Sequence, residues 1–122
     1  MRKLALITII LFSAFAADAQ ICDITQRGQN IEVFNCTGSR ISSRYLIGDE
    51  KLIDYSESLI VVKGMGDNII VYDTKFSQIS SKFLFDGDVV KNVIGNYIMI
   101  RDNRGLVTIY DKNFNRVGSH FE

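Results

Sequence analysis

The stretch IVYDTKFSQISSKF, Ile70–Phe83, recurs along the chain as TIYDKNFNRVGSHF, Thr108–Phe121. Aligned without a gap at an offset of 108 − 70 = 38 residues, the two copies share Tyr, Asp, Phe, Ser and Phe at matching positions. A weaker third copy, EVFNCTGSRISSRY, lies a further 38 residues upstream, at Glu32–Tyr45. A fixed period near 40 residues is the signature of a repeat architecture.

The pattern inside each copy is that of β-strands. Ile79, Ser81 and Phe83 alternate with polar residues, and this period of two is typical of a strand rather than a helix. Short runs rich in Ile, Val and Tyr are separated by turn clusters of Gly, Asn and Asp. The sequence therefore predicts an all-β, antiparallel fold with four strands in each of the last two repeats.

Four antiparallel strands in a repeat of about 40 residues resemble the blade of a β-propeller. The junction "hydrophobic-Tyr-Asp-x-x-Phe", at Val71–Phe76 and Ile109–Phe114, is similar to that of bacterial secreted β-propeller repeat proteins. The resemblance covers nearly all of the chain after its leader. It implies the fold only, because propellers host lectins, hydrolases, scaffolds and assembly factors.

The repeats cover about residues 20–48, 49–86 and 87–122, and the first is incomplete. By register its first strand falls at Phe12–Ala17, inside the leader, so the mature chain holds about 2.7 blades where a closed propeller typically has at least four. A β-trefoil or a small β-sandwich or barrel is the alternative fold. Three outcomes follow: a homo-oligomer that completes a ring, a compact three-part structure, or a piece of a longer repeat protein.

Residues 1–19 have the pattern of a secretory signal peptide. Arg2 and Lys3 precede the apolar run Leu4–Phe15, and Ala17-Asp18-Ala19 matches an A-x-A cleavage site. The run is shorter than the roughly 20 residues of a spanning helix, so we expect no stable membrane insertion. The sequence predicts a single periplasmic or secreted domain, residues 20–122.

The balance of charge excludes some partners. The whole chain has 14 basic and 14 acidic residues, and loss of Arg2, Lys3 and Asp18 leaves 12 and 13. Because neither sign is in excess, we expect no nucleic-acid partner.

Cys22 and Cys36 are the only cysteines. In an exported protein an even count favours a disulfide, and the absence of C-x-x-C spacing disfavours redox chemistry. The turn signal Gly28-Gln29-Asn30 lies midway between them, so a hairpin centred on Gln29 would bring both cysteines together. In the chain-entropy model, closing a loop of this size stabilises the fold by roughly 3 kcal/mol.

The residue types that catalyse reactions or bind metals in other proteins form no recognisable motif in this sequence. His120 is the only histidine and takes the outward position of Arg44 and Lys82 in the other copies, so no zinc or copper site can be assembled. Asp86-Gly87-Asp88, with Asp49-Glu50 one repeat earlier, lacks the D-x-D-x-D-G spacing of a calcium loop. We expect no catalytic residue, no cofactor and no metal.

Two repeated polar positions receive structural interpretations. Serine recurs without a G-x-S-x-G elbow and is interpreted as a small residue facing inward where strands crowd; the copies are Ser43, Ser81 and Ser119. An Asn or Asp recurs at a strand end, where its oxygen can accept hydrogen bonds from nearby backbone N–H groups in an Asx-turn; the copies are Asn35, Asp73 and Asp111.

The sequence favours a non-catalytic exported binding or assembly module with a protein or glycan partner. The first alternative is a small inhibitor of a lysozyme or protease that uses a loop such as Gly64–Asn68. A hydrolase would require clustered carboxylates in a cleft. A lectin without Trp would stack sugars on tyrosines, which are Tyr45, Tyr55, Tyr72, Tyr97 and Tyr110. Most of these tyrosines are expected to pack in the core or across strands.

Overall fold

The computed structural model describes residues 20–122; the predicted signal peptide 1–19 and the register position Phe12–Ala17 lie outside this range. Within it every regular element is a β-strand, eleven in all. They are β1 (Asp23–Arg27), β2 (Asn30–Phe34), β3 (Arg40–Tyr45), β4 (Lys51–Tyr55), β5 (Ile60–Lys63), β6 (Asn68–Tyr72), β7 (Gln78–Phe83), β8 (Val89–Ile94), β9 (Tyr97–Arg101), β10 (Leu106–Asp111) and β11 (Arg116–Phe121).

The strands form three separate antiparallel sheets, each in chain order. We call β1–β3 blade 1, β4–β7 blade 2 and β8–β11 blade 3. The prediction of an all-β fold with a three-stranded first blade and two four-stranded blades is confirmed. Within residues 20–122 no helix has the length and hydrophobicity needed to cross a bilayer.

Blade 2 lies between the other two blades, and apolar layers cover both of its faces. The layer shared with blade 1 includes Ile31, Val33, Ile60 and Val62. The layer shared with blade 3 includes Val61, Val71, Ile98 and Ile100. Since successive side chains of a strand point to opposite faces, this arrangement explains why Ile60, Val61 and Val62 of β5 are all buried. Full burial of each such side chain stabilises the fold by about 1.5–3 kcal/mol.

Each blade has a register shift at the same repeat position. The pairing of the last two strands of the blade shifts between Val33 and Phe34, between Val71 and Tyr72, and between Ile109 and Tyr110. A bulge of this kind bends the outer strand and increases its twist.

The disulfide prediction is confirmed, with one correction to the hairpin. Cys22 and Cys36 are bonded across the β1–β2 hairpin, with their Cα atoms 4.9 Å apart. The ladder pairs Arg27 with Asn30, so a two-residue turn beginning at Gly28 replaces a turn centred on Gln29. Gly28 has φ of +59°, which favours glycine.

Candidate binding surface at one end of the blades

The recurring Asn or Asp organises the turn between the last two strands of each blade. Its Oδ1 accepts backbone N–H bonds of 2.8–3.1 Å from the residues two and four positions later. The side chains are those of Asn35, Asp73 and Asp111. Asp102 accepts in the same way from Arg104 and Leu106, at 2.9 and 3.0 Å, in a turn of blade 3 that the repeat comparison did not single out. These side-chain oxygens therefore stabilise the turns by accepting backbone hydrogen bonds.

The Phe of the repeat junction occupies a conformation that non-glycine residues rarely adopt. Phe76 and Phe114 have φ of 60° and 62°. Each ring packs edge-on against the Tyr of its own junction, with centroids 5.7 Å apart for Tyr72 and 5.8 Å apart for Tyr110. In blade 1 the position belongs to Gly38, with φ of 86°. The Tyr-Asp-x-x-Phe pattern therefore encodes a turn and a ring pair.

The carboxyl pKa shifts have structural causes. The N–H of Asn115 donates to Asp111 and, with Asn113, holds the pKa of that carboxyl below its ordinary value. Hydrogen bonds from Lys91 and Arg101 lower the pKa of Glu122 in the same direction. A lowered pKa is typical of a hydrogen-bonded structural carboxylate rather than a general acid.

His120 occupies the repeat position of Arg44 and Lys82. In those two copies the side chain at this position contacts the next blade. Arg44 lies over the ring of Tyr72, 4.9 Å from its centroid, and Lys82 lies 5.2 Å from the centroid of Tyr110. His120 itself is exposed on β11. In the described part of the chain, no group of three His, Cys, Asp or Glu side chains is arranged to hold a metal ion.

The serine interpretation is wrong by one residue. Ser43, Ser81 and Ser119 are all exposed. The preceding serines make the contacts between blades, since Ser42 Oγ donates to the Thr74 carbonyl at 2.7 Å and Ser80 Oγ donates to the Lys112 carbonyl at 2.5 Å. The bulge is the cause, because the shift at Val71 and Tyr72 places Ser80 opposite Val71, on the side of blade 2 that faces blade 3.

The acidic residues of the blade connections close turns. Asp88 Oδ2 accepts the N–H of Phe85 at 3.0 Å, and Glu50 Oε1 accepts the N–H of Ile47 at 2.8 Å. The two contacts are one repeat apart, so the acidic pair is part of the repeat structure.

In each blade the last strand ends beside the turn of the hairpin that precedes it. The three hairpins are β1–β2, β5–β6 and β9–β10. Three equivalent hydrogen bonds hold the strand ends there, from Leu46 N–H to Gln29 O, from Leu84 N–H to Asp67 O, and from Glu122 N–H to Gly105 O, at 2.6, 2.8 and 2.9 Å. Because all three blades repeat the contact, these strand ends and turns share one end of the molecule.

This end exposes large apolar side chains. Leu46 is 1% exposed, whereas its neighbours on both sides point into solvent. The exposed residues are Tyr45 (63%), Ile47 (71%), Met65 (85%), Phe83 (70%), Phe85 (77%) and Phe121 (70%). We call this surface the aromatic end. Single exposed apolar residues are ordinary, but a repeated set at one end is typical of an interaction surface.

A pocket of about 330 Å³ opens on the aromatic end. It is lined by the connection 84–90 between blades 2 and 3, together with Ile53, Lys63, Asp67 and Ile69. An apolar floor with a few charged groups at the margin suits one or two side chains of a partner, and the volume is at the small end of the range for ligand pockets.

Neither a protein-family model nor a curated protein matches the chain. Fourteen chains of solved structures are similar to it. One is the crystal structure of BamB from Moraxella catarrhalis, which is 13% identical, with a TM-score of 0.48. The similarity covers 81% of this chain and 34% of the BamB chain, so this chain matches about a third of the length of that protein. The three described sheets, rather than this similarity, establish the fold.

Proposed function

We propose that the protein is a non-catalytic, exported binding or assembly module that holds a partner protein against its aromatic end. One observation carries the proposal: six large apolar side chains, each 63–85% exposed, lie at the same end of the blades, and five of them, all except Met65, recur with the 38-residue period. Aromatic residues and Met are enriched at the buried centres of protein interfaces, where they supply most of the binding free energy.

The composition of the aromatic end supports a protein partner over a glycan. Phe83, Phe85 and Phe121 have no polar group to orient a sugar, and the chain contains no Trp. The tyrosines are dispersed, since Tyr72 is buried against blade 1 and Tyr97 lies on β9, away from Tyr45. A lectin that stacks sugars on clustered tyrosines is therefore the weaker proposal.

The non-catalytic part of the proposal is supported by what the carboxylates do. Asp73, Asp88, Asp102 and Asp111 each accept backbone N–H bonds that close turns. A hydrolase needs two carboxyl groups that face each other across a substrate cleft. The periplasmic or secreted location is supported by the Cys22–Cys36 disulfide, which persists in oxidising compartments.

A second candidate, inhibition of an enzyme by a protruding loop, is favoured by one observation. Met65 is 85% exposed in the turn of Gly64–Asn68. An inhibitor of this type inserts such a residue into an active site. Added protein should then reduce the activity of a lysozyme or protease, and Met65→Ser should abolish the effect. Unchanged enzyme activity at a large excess of the protein would refute this candidate.

Site-specific photo-cross-linking in the producing cells tests the docking surface. We expect benzoylphenylalanine at Phe83 and at Phe85 to give adducts with the same protein. The probe at Lys75, an exposed residue in the turn at the opposite end of blade 2, is the matched control and should give no such adduct. Equal yields at all three positions, or no adduct at Phe83 and Phe85, would contradict the proposal.

A further inference from the structure

A second apolar surface lies on blade 3, on the side turned away from blade 2. We call it the blade 3 outer face. Ile94 and Tyr97 form a cross-strand pair at one end of it, and Met99 pairs with Ile109 at its centre. Val117, at the bulge of β11, completes the face. Ile94 is 53% exposed, Tyr97 46% and Val117 59%.

The repeat shows what these positions ordinarily do. In blade 2 the equivalent pair is Val61 and Val71, and both are completely buried against blade 3. Leu59, the counterpart of Tyr97, is 1% exposed. The same sheet side is thus a blade-to-blade contact surface in blade 2, and in blade 3 no further blade of the described chain covers it.

The opposite terminal face, on blade 1, has a different chemistry. The positions that correspond to Ile60 and Val62 are occupied by Asp23 and Thr25, both exposed. Glu32, on the same side, pairs with Arg40 at 3.7 Å. A polar outer face is how a terminal repeat is capped in a repeat protein. The described chain therefore has one solvated terminal face and one apolar terminal face.

Two cations of the blade 3 outer face, Lys91 and Arg101, share one carboxylate partner, so neither cation is unpaired. Glu122 accepts from Lys91 at 2.7 Å and from Arg101 at 3.1 Å. Val107 lies between Arg101 and His120 in the ladder and is fully buried. Two such faces can approach each other without a row of unpaired like charges.

We infer that two copies of the chain pack back to back through their blade 3 outer faces, forming a symmetric dimer. A two-fold contact uses the same patch on both subunits, so one apolar face per chain is sufficient. A head-to-tail ring would instead press Met99 and Ile109 against the exposed Asp23 and the Glu32–Arg40 pair of the next copy, and removing these charged groups from water against an apolar face is costly. The inference does not rest on the aromatic end, which stays open in the dimer.

Sedimentation equilibrium of the mature chain, residues 20–122, tests the dimer. We expect twice the mass of one chain for the wild type, and a shift of the dissociation constant by at least about 100-fold for Val117→Lys, the effect of placing a charge within the apolar contact. Phe83→Lys, the same change at an exposed residue of the aromatic end, should remain dimeric. A wild type that is monomeric at all concentrations, or larger than a dimer, would overturn the inference.

Cross-linking distinguishes the two-fold contact from a ring, and it does not require a variant that disrupts the assembly. A short bismaleimide should join two Val117→Cys chains to each other. In an equimolar mixture of Val117→Cys and Thr25→Cys chains, the mixed product should be absent. Predominance of the mixed product would overturn the two-fold dimer in favour of a head-to-tail ring. Circular dichroism of each variant verifies that it is folded.

Discussion

At the scale of single residues, the turn of the repeat junction combines a polar acceptor and a residue at positive φ. Asp73 fixes the backbone through Oδ1, and three residues later Phe76 turns at φ of 60° so that its ring meets Tyr72. A left-handed backbone costs an L-residue roughly 1–2 kcal/mol, and the ring contact offsets that cost. Where the ring is absent, as in blade 1, Gly38 takes the position.

Substitution of Phe76 should therefore show an unusual order of stability. Phe76→Ala loses the ring contact and keeps the strained backbone, whereas Phe76→Gly loses the contact but relieves the strain. We expect Phe76→Gly to be about 1 kcal/mol more stable than Phe76→Ala by urea unfolding. Phe85 has no positive φ and serves as the control, where Gly should be the less stable of the two. The same order at Phe76 as at Phe85 would contradict the assigned turn.

Asp111 should contribute to acid sensitivity. Because its pKa in the folded state is lowered from 3.8, its stabilising effect is present above that pH and is lost as the pH falls through the folded-state pKa. Asp111→Asn keeps the accepting Oδ1, as Asn35 does in blade 1, but does not titrate.

The stability difference between wild type and Asp111→Asn should accordingly be constant above about pH 5 and should change in favour of the variant towards pH 3. Thermal unfolding across this range is the measurement. Asp111→Ala, which removes the acceptor, should be less stable than Asp111→Asn at every pH. Parallel pH profiles for wild type and Asp111→Asn would refute the assignment.

At the scale of elements, the sequence predicted the positions of the strands well. It predicted less well which side of the sheet each side chain faces. Alternating Ile, Val and Tyr placed β4–β11 correctly, because each strand is bounded by Gly, Asn or Asp turns. Alternation also assigned Ser81 the same side as Ile79. The bulge near Val71 breaks that alternation, and Ser80 takes the contact with blade 3. A bulge depends on how two strands pair, which a single strand's pattern does not contain.

The disulfide should be a measurable part of the stability of blade 1. Cys22 and Cys36 are both exposed, so replacing them with Ala creates no cavity and isolates the effect of the cross-link. With 14 residues of sequence separation, we expect the double variant to lose roughly 3 kcal/mol of unfolding free energy. A reductant should produce the same loss in the wild type and none in the variant. An undiminished urea midpoint in the double variant would contradict this role.

At the scale of the whole molecule, the three blades are joined by two apolar layers and by hydrogen bonds across both boundaries, among them those that Ser56 and Ser58 donate to the Gly95 carbonyl. Ile21 N–H donates to the Glu57 carbonyl, and Ser42 and Ser80 reach the turns of the next blade. The number of blades was predictable from the 38-residue period. The aromatic end and the blade 3 outer face were not predictable, because the exposure of Phe85 or Val117 depends on what the neighbouring strands leave uncovered.

The serine contacts provide a matched pair of variants. Ser42→Ala removes the hydrogen bond to Thr74 and leaves a carbonyl without that donor, so we expect a loss of about 1 kcal/mol in unfolding free energy. Ser43→Ala, at the exposed neighbouring position, should change stability by less than about 0.5 kcal/mol. Equal effects of the two variants in urea unfolding would contradict the assignment of Ser42 to the side of β3 that contacts blade 2.

The central claim is that the aromatic end holds a partner protein, and the affinity for the protein captured by cross-linking tests it most directly. We predict that Phe83→Ser combined with Phe85→Ser raises the Kd by at least about 100-fold, since two central aromatic residues supply several kcal/mol of binding. Tyr97→Ser, an aromatic change on the blade 3 outer face, should leave the Kd within about threefold of wild type. An unchanged Kd for the double variant, or an equal loss with Tyr97→Ser, would contradict the claim.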